Sequence, residues 1–498
     1  MPKKILLISA ASEEPYGDGR VKKPSVKIDD QSHYPLGIAY LHSYLEAQGH
    51  EVKTLFLCSY NHEESEAIVK ETLGHWLPDV VGFQVLADNR LSTYKFIDFF
   101  HEVYPSIKLL AGGIHASIMY KQLITKFPYL IIVRGEGELT FAELSTKIFA
   151  EKPQLEEIDG IAFWKDGEIL ATRPRALIED LDSLPWPKHE IFFNDKRTLG
   201  NLLTTRGCPF NCSFCCLDTI SRRRVRYRSV KNVVDEIEYM INKFPQLSRI
   251  WIHDDTFFIN NQRAIDFCDE VIKRKINIKF VCSGRFKPLS ELLIKKLEEA
   301  NFVHICLGLE SGNQQILNKA HKGIMRQDVI NAFELFAKSK INIFPFLVVG
   351  LPGETETTIA DTGLFVQELQ RIKYVHYMEG IAILMVYPGA EIYEIAKEAG
   401  IINDNYWLKD KPTPFFLAEH SQAELFAFKE LLLDYICCDR IFRPRAFRLQ
   451  WRMIPYIIGD KTVRDDFMLN SLKKIHLLSF ARFLVIRLRV LRKKLKKH

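Results

Sequence analysis

The segment TTRGCPFNCSFCCL places four of the chain's ten cysteines within nine consecutive positions. Cys208, Cys212 and Cys215 are separated by three and two residues, and three thiolates at this spacing can fold around one corner of an iron–sulfur cluster. Pro209 restricts the loop so that the thiolates converge. A four-iron cluster with three cysteine ligands keeps one iron open for a ligand that carries an amine and a carboxylate.

The same cysteines have two plainer interpretations, a structural zinc site and a group of buried thiols. A zinc site would prefer a second Cys or His pair at comparable spacing elsewhere, and the sequence has none. Cys216 directly follows Cys215, so its side chain should point elsewhere. We therefore treat Cys216 as a non-ligand.

CPFNCSFC and four later motifs follow one another in an order that resembles the radical S-adenosylmethionine (SAM) enzymes. In that family the loop binds a four-iron four-sulfur cluster, so Cys208, Cys212 and Cys215 would be metal ligands within the catalytic centre. The resemblance also implies contacts with SAM. They involve Asp255 of HDDTFF at the amino group, Ser283 and Arg285 of CSGRF at the ribose or carboxylate, Glu310 and Ser311 of GLESG, Gly350 and Pro352 of the adenine-cradling GLPGET turn, and Phe214 beside the adenine. Asp255 and Glu310 could instead be ordinary solvated acids at strand ends.

The resemblance implies a reaction in which the cluster transfers one electron to SAM. SAM is thereby cleaved to methionine and a 5'-deoxyadenosyl radical, which can take hydrogen from an unactivated carbon. The cofactor supplies the difficult chemistry, while the protein supplies orientation and excludes water. An electron donor such as a flavodoxin or ferredoxin is implied as a partner.

The elements that must position these residues fall into two series. From Lys4 to about Ala150, short β-rich runs alternate with helical patterns, which predicts a doubly wound, Rossmann-like parallel sheet. Ligands of such sheets lie beyond the carboxyl ends of the strands. The predicted ends are Ser9 to Ser12, Gln84 to Asn89, Gly112 to Ser117 and Arg134 to Glu138. Several of them are rich in small residues, as close approach to a large ligand requires.

A second alternating series of six βα units predicts a partial parallel barrel, (βα)6, with the cysteine loop at the carboxyl face where barrel chemistry occurs. Before it, GIAFWKDGEILAT predicts a hairpin that turns at Asp166 and Gly167, and LDSLPWP is a proline-broken linker. The predicted segments are an α/β domain over 1–150, the hairpin and linker over 151–195, the barrel over 196–395 and a helical region over 396–498.

The amino-terminal region resembles the cobalamin-binding domain of the cobalamin-dependent radical SAM class. The matching segments are HYPLGIAYLHSYLEAQGHEV, PDVVGFQVL, LLAGGIHAS and VRGEGELTFAEL, and the resemblance implies cobalamin contacts at Gly112, Gly113 and Glu136. The Asp-x-His-x-x-Gly motif, which supplies an axial histidine in many cobalamin proteins, is absent from the sequence. Cobalamin could therefore bind without a protein histidine, or the domain could have lost the cofactor. His115 could be a cobalt ligand or a loop residue with structural hydrogen bonds.

The leading hypothesis is a cobalamin-dependent radical SAM enzyme. It would methylate an unactivated carbon, or cyclise or rearrange an apolar metabolite such as a lipid, tetrapyrrole or natural product. One alternative is a methylthiotransferase acting on RNA, which normally needs a second cysteine cluster in the first domain, where only Cys58 occurs. Another is a non-catalytic cofactor-binding or zinc-stabilised scaffold. The basic run SRRRVRYRS could contact phosphates, but a solvated loop is favoured and nucleic acid is not an expected partner.

The carboxyl-terminal region adds weaker signals. FRPRAF resembles a segment of proteins related to the anaerobic magnesium-protoporphyrin cyclase, with similar enzymes acting on hopanoid lipids, whereas PGAEIY departs from the usual Pro-Gly-Thr form at Ala390. Residues 471–498 contain no acidic residue and predict a basic amphipathic helix. Such a helix could lie on an anionic membrane surface, or it could pack its apolar side on the barrel.

The length and composition of the chain limit the number of domains and the classes of partner that we expect. A chain of 498 residues, 47% of them apolar, is large enough for two or three packed domains,. The net charge of +6 is modest and arises largely near the carboxyl terminus, which weakens a general nucleic-acid interpretation. No apolar stretch approaches the ~20 residues needed to span a bilayer. We expect a cytoplasmic protein, with the final helix as the candidate for peripheral contact at the inner membrane face.

Overall fold

The structure is a computed structural model that describes residues 2–12, 34–194, 196–375 and 381–438. Among these residues, no helix is both long enough and apolar enough to cross a membrane. FRPRAF at 442–447 and the predicted basic helix over 471–498 lie outside the described residues.

The first domain is a single twisted sheet between helices. Its strands are β1 (Lys4–Ser9), β2 (Glu51–Phe56), β3 (Val80–Gln84), β4 (Lys108–Gly112), β5 (Ile131–Val133), β6 (Ile161–Lys165) and β7 (Glu168–Ala171). Its helices are α1 (Leu36–Ala47), α2 (His62–His75), α3 (Arg90–Val103), α4 (Ile114–Ile118), α5 (Tyr120–Lys126) and α6 (Glu138–Lys147). The strand order is β2-β1-β3-β4-β5-β6-β7, with β1 to β5 parallel as predicted.

The central strands are apolar between their end residues, as expected for a sheet with both faces covered. Leu6 and Ile8 of β1 belong to the core beneath α2, α3 and α5, whereas Ile5 and Leu7 belong to the core beneath α1 and α6. The strand order changes direction between β1 and β3. Loops therefore diverge there, which opens a crevice at the carboxyl edge.

The predicted hairpin is present and lengthens the first sheet. Asp166 and Gly167 have φ of 48° and 90°, the left-handed pair that a tight two-residue hairpin turn requires. β6 pairs antiparallel with β5, and β7 pairs antiparallel with β6. The sheet thus continues past residue 150, where the sequence analysis ended the first domain.

The second domain contains the predicted half barrel. Its strands are β8 (Leu199–Leu202), β9 (Thr205–Arg206), β10 (Arg226–Tyr227), β11 (Arg249–Ile252), β12 (Lys279–Gly284), β13 (Phe302–Glu310), β14 (Asn342–Val349) and β15 (Ile381–Ile383). Its helices are α7 (Asp218–Ser221), α8 (Val230–Lys243), α9 (Asn261–Lys273), α10 (Glu291–Glu299), α11 (Gln314–Lys319), α12 (Arg326–Ala337), α13 (Glu356–Ile372), α14 (Glu391–Glu398) and α15 (Gln422–Cys438). Six parallel strands form the sheet β15-β14-β13-β12-β11-β8.

Side chains alternate along the barrel strands, and the outward set forms the largest core. Ile250, Phe280, Ile305 and Ile343 pack there beneath the helices. β9 and β10 stand apart as a two-stranded antiparallel hairpin at either end of the segment that contains the cysteine loop. The carboxyl ends of the six strands consequently face the cysteine loop and the first domain.

A carboxyl-terminal segment covers the edge of the barrel sheet. The Val386 N–H donates to the Pro414 carbonyl at 2.8 Å, and the Phe416 N–H donates to the Leu384 carbonyl at 2.9 Å. α15 then packs on α13. The open edge next to β15 is thereby paired with chain from beyond the barrel, which protects its unpaired backbone groups.

Candidate cofactor site between the two domains

The exit of β8 into the cysteine loop is held by the buried carboxylate of Asp254, which is 2% exposed. One of its oxygens accepts hydrogen bonds from the N–H groups of Thr204, at 2.6 Å, and Thr205, at 3.0 Å. The other accepts a hydrogen bond from the Thr204 hydroxyl. Asp255, the second acid of HDDTFF, is the predicted ligand contact, whereas Asp254, the first acid, anchors the loop.

Asp255, the predicted contact for the SAM amino group, lies against the start of the cysteine loop. Its Oδ2 accepts a hydrogen bond from the Gly207 N–H at 3.1 Å. Gly207 has a φ of 96°, and a Cβ there would collide with the Arg224 carbonyl, so only glycine fits this turn. Burial and the neighbouring Asp254 charge raise the pKa of Asp255 to about 6. The carboxylate lines the large cleft between the domains.

The three predicted cluster ligands lie on this one loop. Cys208 and Cys212 are half-buried and Cys215 is exposed. Burial raises the pKa of the Cys208 thiol and raises that of Cys215 to about 12, and the neighbouring cysteines add to both shifts. Among the residues that the structure describes, no three His, Cys, Asp or Glu side chains are arranged around a single metal-ion position. Three soft sulfur donors on one short loop nevertheless suit an iron–sulfur cluster by their chemistry.

Cys216 is half-buried and makes apolar contacts. Together with Phe214 it packs against an apolar cluster that includes Met119 of the first domain, Leu351 after β14 and the fully buried Trp407. Phe214, the predicted neighbour of the adenine, also has the Lys322 ammonium 5.9 Å from its ring centre. The non-ligand interpretation of Cys216 therefore stays a prediction, with a packing role to support it.

Arg285 approaches the cysteine loop rather than standing free at the end of β12. Its Nη1 donates to the Cys212 sulfur at 3.7 Å, and its Nη2 donates to the Lys322 carbonyl. The guanidinium carbon lies 3.7 Å from the centre of the Phe210 ring. Ser283, predicted with it, contributes its backbone carbonyl to the Phe257 N–H at 3.0 Å.

Glu310 pairs with a lysine that the sequence analysis did not single out. The Lys322 ammonium lies 2.7 Å from Glu310 Oε1, and both side chains are at least nine-tenths buried. The pair folds over Gly308, where a Cβ would collide with both charged groups. Ser311, in contrast, turns toward α13, because its hydroxyl lies 3.1 Å from that of Thr362. Of the two GLESG residues predicted to contact SAM, only Glu310 is linked to the cysteine loop. The link is Lys322, which pairs with Glu310 and also approaches the Phe214 ring.

The predicted adenine turn contains a buried carboxyl group. Gly350 has a φ of 98°, and its N–H donates to Glu354 Oε2 at 2.6 Å. Burial raises the pKa of Glu354 to about 8. Pro352 is half-buried in the same turn, and the Gly353 N–H donates to Glu419 Oε2 at 2.5 Å. The conformation of this turn thus depends on the Glu354 side chain within it and on Glu419, which follows the barrel in the sequence.

A cleft of ≈ 420 Å³ lies between the carboxyl edge of the first sheet and the cysteine loop. Gly82, Gly112, Gly113 and Glu136 line it from one side, and Gly207 and Asp255 are among the residues that line it from the other. A Cβ at Gly82 would lie 2.7 Å from the Phe141 ring, and one at Gly113 would lie 2.7 Å from the Val85 carbonyl oxygen. Any larger residue would disturb the cleft wall, so the cleft depends on these glycines.

Glu136, a predicted cobalamin contact, joins the two domains. Its carboxylate accepts hydrogen bonds from Arg206 at 3.0 Å and from Arg226 at 2.7 Å, and the Ile178 N–H donates to it at 2.9 Å. Glu138 pairs with Arg206 at 2.7 Å. These arginines hold the pKa of Glu136 below its usual range despite burial. The cleft wall is therefore a network of paired charges.

A second cavity of ≈ 420 Å³ adjoins the cleft and shares Gln84, Leu203 and His253 with it. Most of its other walls are apolar, and Cys58 and Asp88 also line it. Burial raises the pKa of the Cys58 thiol to about 11. His253, which the sequence analysis included only as a letter of HDDTFF, is thus placed where the two cavities meet.

His115 lies behind the glycine loop and lines neither cavity. It is 2% exposed, its Nε2 lies 3.3 Å from the Tyr94 hydroxyl, and its ring packs edge-on against Trp407. Burial and the nearby Arg90 charge lower the pKa of His115 to about 3. These contacts favour the structural interpretation over cobalt ligation.

A buried polar relay, also missed from the sequence, ties the first domain to the barrel. The Asn201 N–H donates to the Tyr34 hydroxyl at 3.1 Å, which in turn lies 2.8 Å from His189 Nδ1. His189 Nε2 lies 2.8 Å from Glu236 Oε1, and Glu236 pairs with Arg228 at 2.5 Å. The partners come from five separate segments of the chain, so no local sequence pattern predicts the relay.

Family models match both domains. The model of the radical SAM superfamily matches residues 202–366, which include all three predicted cluster ligands. The model of the B12 binding domain matches residues 29–145, which include the glycine edge of the cleft.

Two curated relatives and one solved structure extend these matches. An uncharacterised methyltransferase of Pyrococcus horikoshii is 28% identical over 381 residues, which cover 75% of this chain and 81% of the relative. The anaerobic magnesium-protoporphyrin IX monomethyl ester cyclase of Rubrivivax gelatinosus is 31% identical over 342 residues, which cover 66% of this chain and 61% of the cyclase. The cobalamin-dependent SAM radical enzyme OxsB, solved with aqua-cobalamin and SAM, superposes with a TM-score of 0.70 at 17% identity and covers 96% of this chain and 75% of its own. At that identity the likeness concerns the fold.

Proposed function

Because the chain belongs to the radical SAM superfamily and carries a B12-binding domain, we propose that it is a cobalamin-dependent radical SAM enzyme. It methylates an unactivated carbon of an apolar metabolite, or cyclises or rearranges that metabolite oxidatively. The observation that carries the proposal is the cleft in which the glycine-lined edge of the first sheet faces Asp255 and the cysteine loop. Such a cleft can hold a large cofactor against a reactive centre.

When bound, the cluster would supply the electron for reductive cleavage of SAM, and cobalamin would supply a methyl group. Cys208, Cys212 and Cys215 would hold the cluster. The raised thiol pKa values of Cys208 and Cys215 mean that these two thiols must lose protons to the solvent as the irons bind. Asp254 and Gly207 keep the loop in one conformation during that exchange.

SAM would bind beside the loop through the residues that remain polar there. Asp255 would accept hydrogen bonds from the amino group, and Glu310, oriented by Lys322, would accept them from hydroxyl groups. Gly350 and Pro352 would place the adenine, while Phe214 would exclude water from its edge. Ser311 would act indirectly, since its hydroxyl contacts Thr362.

Cobalamin would occupy the cleft against Gly112 and Gly113, and at Gly113 an added Cβ would disturb the wall. Glu136 would contribute by holding Arg206 and Arg226 in place at the domain boundary. The substrate would enter the adjoining cavity, whose Leu36, Phe56 and Leu86 walls support an apolar molecule. A one-electron donor protein is the expected partner. A cytoplasmic location and peripheral membrane contact remain predictions from the sequence.

Anaerobic reconstitution of the full chain with iron and sulfide tests the proposal. We expect the broad visible absorption of an iron–sulfur cluster, bound corrinoid, and release of 5'-deoxyadenosine or S-adenosylhomocysteine when the protein is reduced in the presence of SAM. A Cys212→Ala variant, prepared in parallel, should lose iron and product release together. Colourless protein that binds no iron and leaves SAM intact would refute the proposal, whereas methyl transfer from labelled SAM would favour methylation over cyclisation.

A further inference from the structure

We infer that Arg285 raises the reduction potential of the iron–sulfur cluster by donating a hydrogen bond to the sulfur of Cys212. The inference rests on the proposed function, because it requires a cluster on the cysteine loop. It assigns to Arg285 a role at the cluster in addition to the SAM contact expected from the sequence.

The position of the guanidinium is fixed on three sides. Nη1 lies 3.7 Å from the Cys212 sulfur, Nη2 donates to the Lys322 carbonyl, and the plane stacks on Phe210 at 3.7 Å. Arg285 is 5% exposed. Two of its five N–H donors are thus committed to the protein, which holds the charge beside Cys212, while Nε is buried without a hydrogen-bond partner among the described residues.

The direction of the electrostatic effect follows from charge. Reduction adds one electron from an external donor to the cluster and makes it more negative by one unit. A permanent positive charge beside a ligand sulfur stabilises that reduced state, and an N–H bond to the sulfur withdraws electron density from the same atom. Hydrogen bonds to sulfur and local charge are recognised determinants of cluster potential.

Phe210 makes the arrangement specific for arginine. The planar guanidinium can stack on the ring and donate from its edge at the same time, whereas a lysine ammonium carries the charge without either geometry. Phe210 itself lies between two cluster ligands, so the arginine is positioned by the loop that it acts on.

A redox titration of the reconstituted full chain, monitored by electron paramagnetic resonance without SAM, tests this role. At the midpoint potential of the unmodified protein, we expect Arg285→Met to lower the ratio of reduced to oxidised cluster about tenfold, a shift of about 59 mV to more negative potential. Arg285→Lys should shift it less, and Phe210→Leu should shift it in the same direction.

The matched control is Arg326, whose guanidinium lies 4.1 Å from the Phe365 ring on α13. Arg326→Met removes a stacked arginine of the same kind and should leave the potential unchanged. Iron content is measured for every variant. If Arg285→Met cannot hold about four irons per chain, Phe210→Leu decides: a negative shift supports the role, and an unchanged potential overturns it.

The outcomes separate this inference from the proposed function. An unmodified protein that holds no cluster would refute both. A protein that holds a cluster and cleaves SAM, but whose potential is unchanged in the Arg285 and Phe210 variants, would refute only the tuning role. A large loss of SAM affinity in Arg285→Met without any shift of potential would instead return Arg285 to the SAM carboxylate.

Discussion

Single side chains near the cysteine loop are placed where burial changes their ionisation. Glu354 is the clearest case, because it sits 2% exposed beneath the turn predicted to cradle adenine. Its carboxyl group accepts the Gly350 N–H, and the charge of Glu419 opposes its ionisation. The conformation of the turn is therefore coupled to a proton.

The stability of the protein should reflect this proton. The pKa of Glu354 is 4.5 in the unfolded reference and about 8 in the fold, so the folded state binds more protons between these values. The free energy of unfolding therefore falls as the pH rises through this window, by at most about 1.4 kcal/mol per pH unit, and this group adds no further loss above it. Urea unfolding of the unmodified protein and of Glu354→Gln at pH 6 to 9 checks this. The difference between the two should grow up to about pH 8, and parallel pH profiles would contradict the assignment.

Cys216 tests which cysteines belong to the donor set. Because it packs in an apolar cluster, Cys216→Ala should retain the irons and SAM cleavage and cost roughly 1 kcal/mol of stability. Iron content after anaerobic reconstitution is the measurement, with Cys215→Ala as the matched loss. Iron lost from Cys216→Ala alone would show that the ligands were wrongly assigned.

What the sequence can reveal at this scale is limited to local patterns. The cysteine spacing and the acid of HDDTFF are readable because each motif is contiguous. The partners of Glu136 are not, since Arg206 and Arg226 lie 70 and 90 positions away. The role of Lys322 is not readable either, because it depends on how β13 and the following turn fold back on Gly308.

At the scale of elements, glycines at strand ends decide whether the cleft exists. Strands β1 to β5 and the Asp166 hairpin were predictable because alternation and turn residues act over short distances. The pairing of that hairpin with β5 was not predictable, because no local sequence pattern indicates that an antiparallel strand joins the edge of a parallel sheet. Gly113 is required for a local and for a non-local reason. Its φ of 97° is a property of its own backbone, whereas the close approach of Val85 results from the pairing of β3 with β4.

Gly113→Ala should therefore weaken corrinoid binding. The added Cβ would lie 2.7 Å from the Val85 carbonyl oxygen, so the ends of β3 and β4 must separate. We expect at least a tenfold rise in the dissociation constant, about 1.4 kcal/mol, measured by absorbance titration with hydroxocobalamin.

Gly49→Ala is the matched control for that substitution. Gly49 has a φ of 85° and open space around its Cβ position, so it introduces similar backbone strain without the collision. Equal losses of corrinoid affinity in the two variants would point to general strain and would contradict a specific role for the cleft wall.

At the scale of the whole molecule, the two domains are joined through buried polar contacts. Tyr34, His189 and Glu236 are at most 4% exposed, and Glu236 is ionised because Arg228 and His189 hold its pKa low against burial. Removing one partner from such a set leaves an uncompensated buried charge. The contact between the two domains therefore depends strongly on this small set of buried polar groups.

Glu236→Ala should destabilise the protein by roughly 3–5 kcal/mol and favour separate unfolding of the two domains. Differential scanning calorimetry measures both the loss and any second transition. Lys231→Ala, which removes an exposed partner of Asp235 on the same helix, should change the stability by less than about 1 kcal/mol. A similar small change in Glu236→Ala would show that the relay does not hold the domains.

After α14, the chain returns from the barrel to contact the first domain again. Trp407 is fully buried, the Tyr94 hydroxyl donates to its carbonyl at 3.3 Å, and the Arg90 guanidinium lies 5.0 Å from its ring centre. The contact surface of the first domain is therefore encoded on both sides of the barrel in the sequence. Chimeras that exchange the amino-terminal domain between relatives would have to transplant residues 404–416 with it, so the cofactor-binding half is not a cassette that can be swapped by a single crossover.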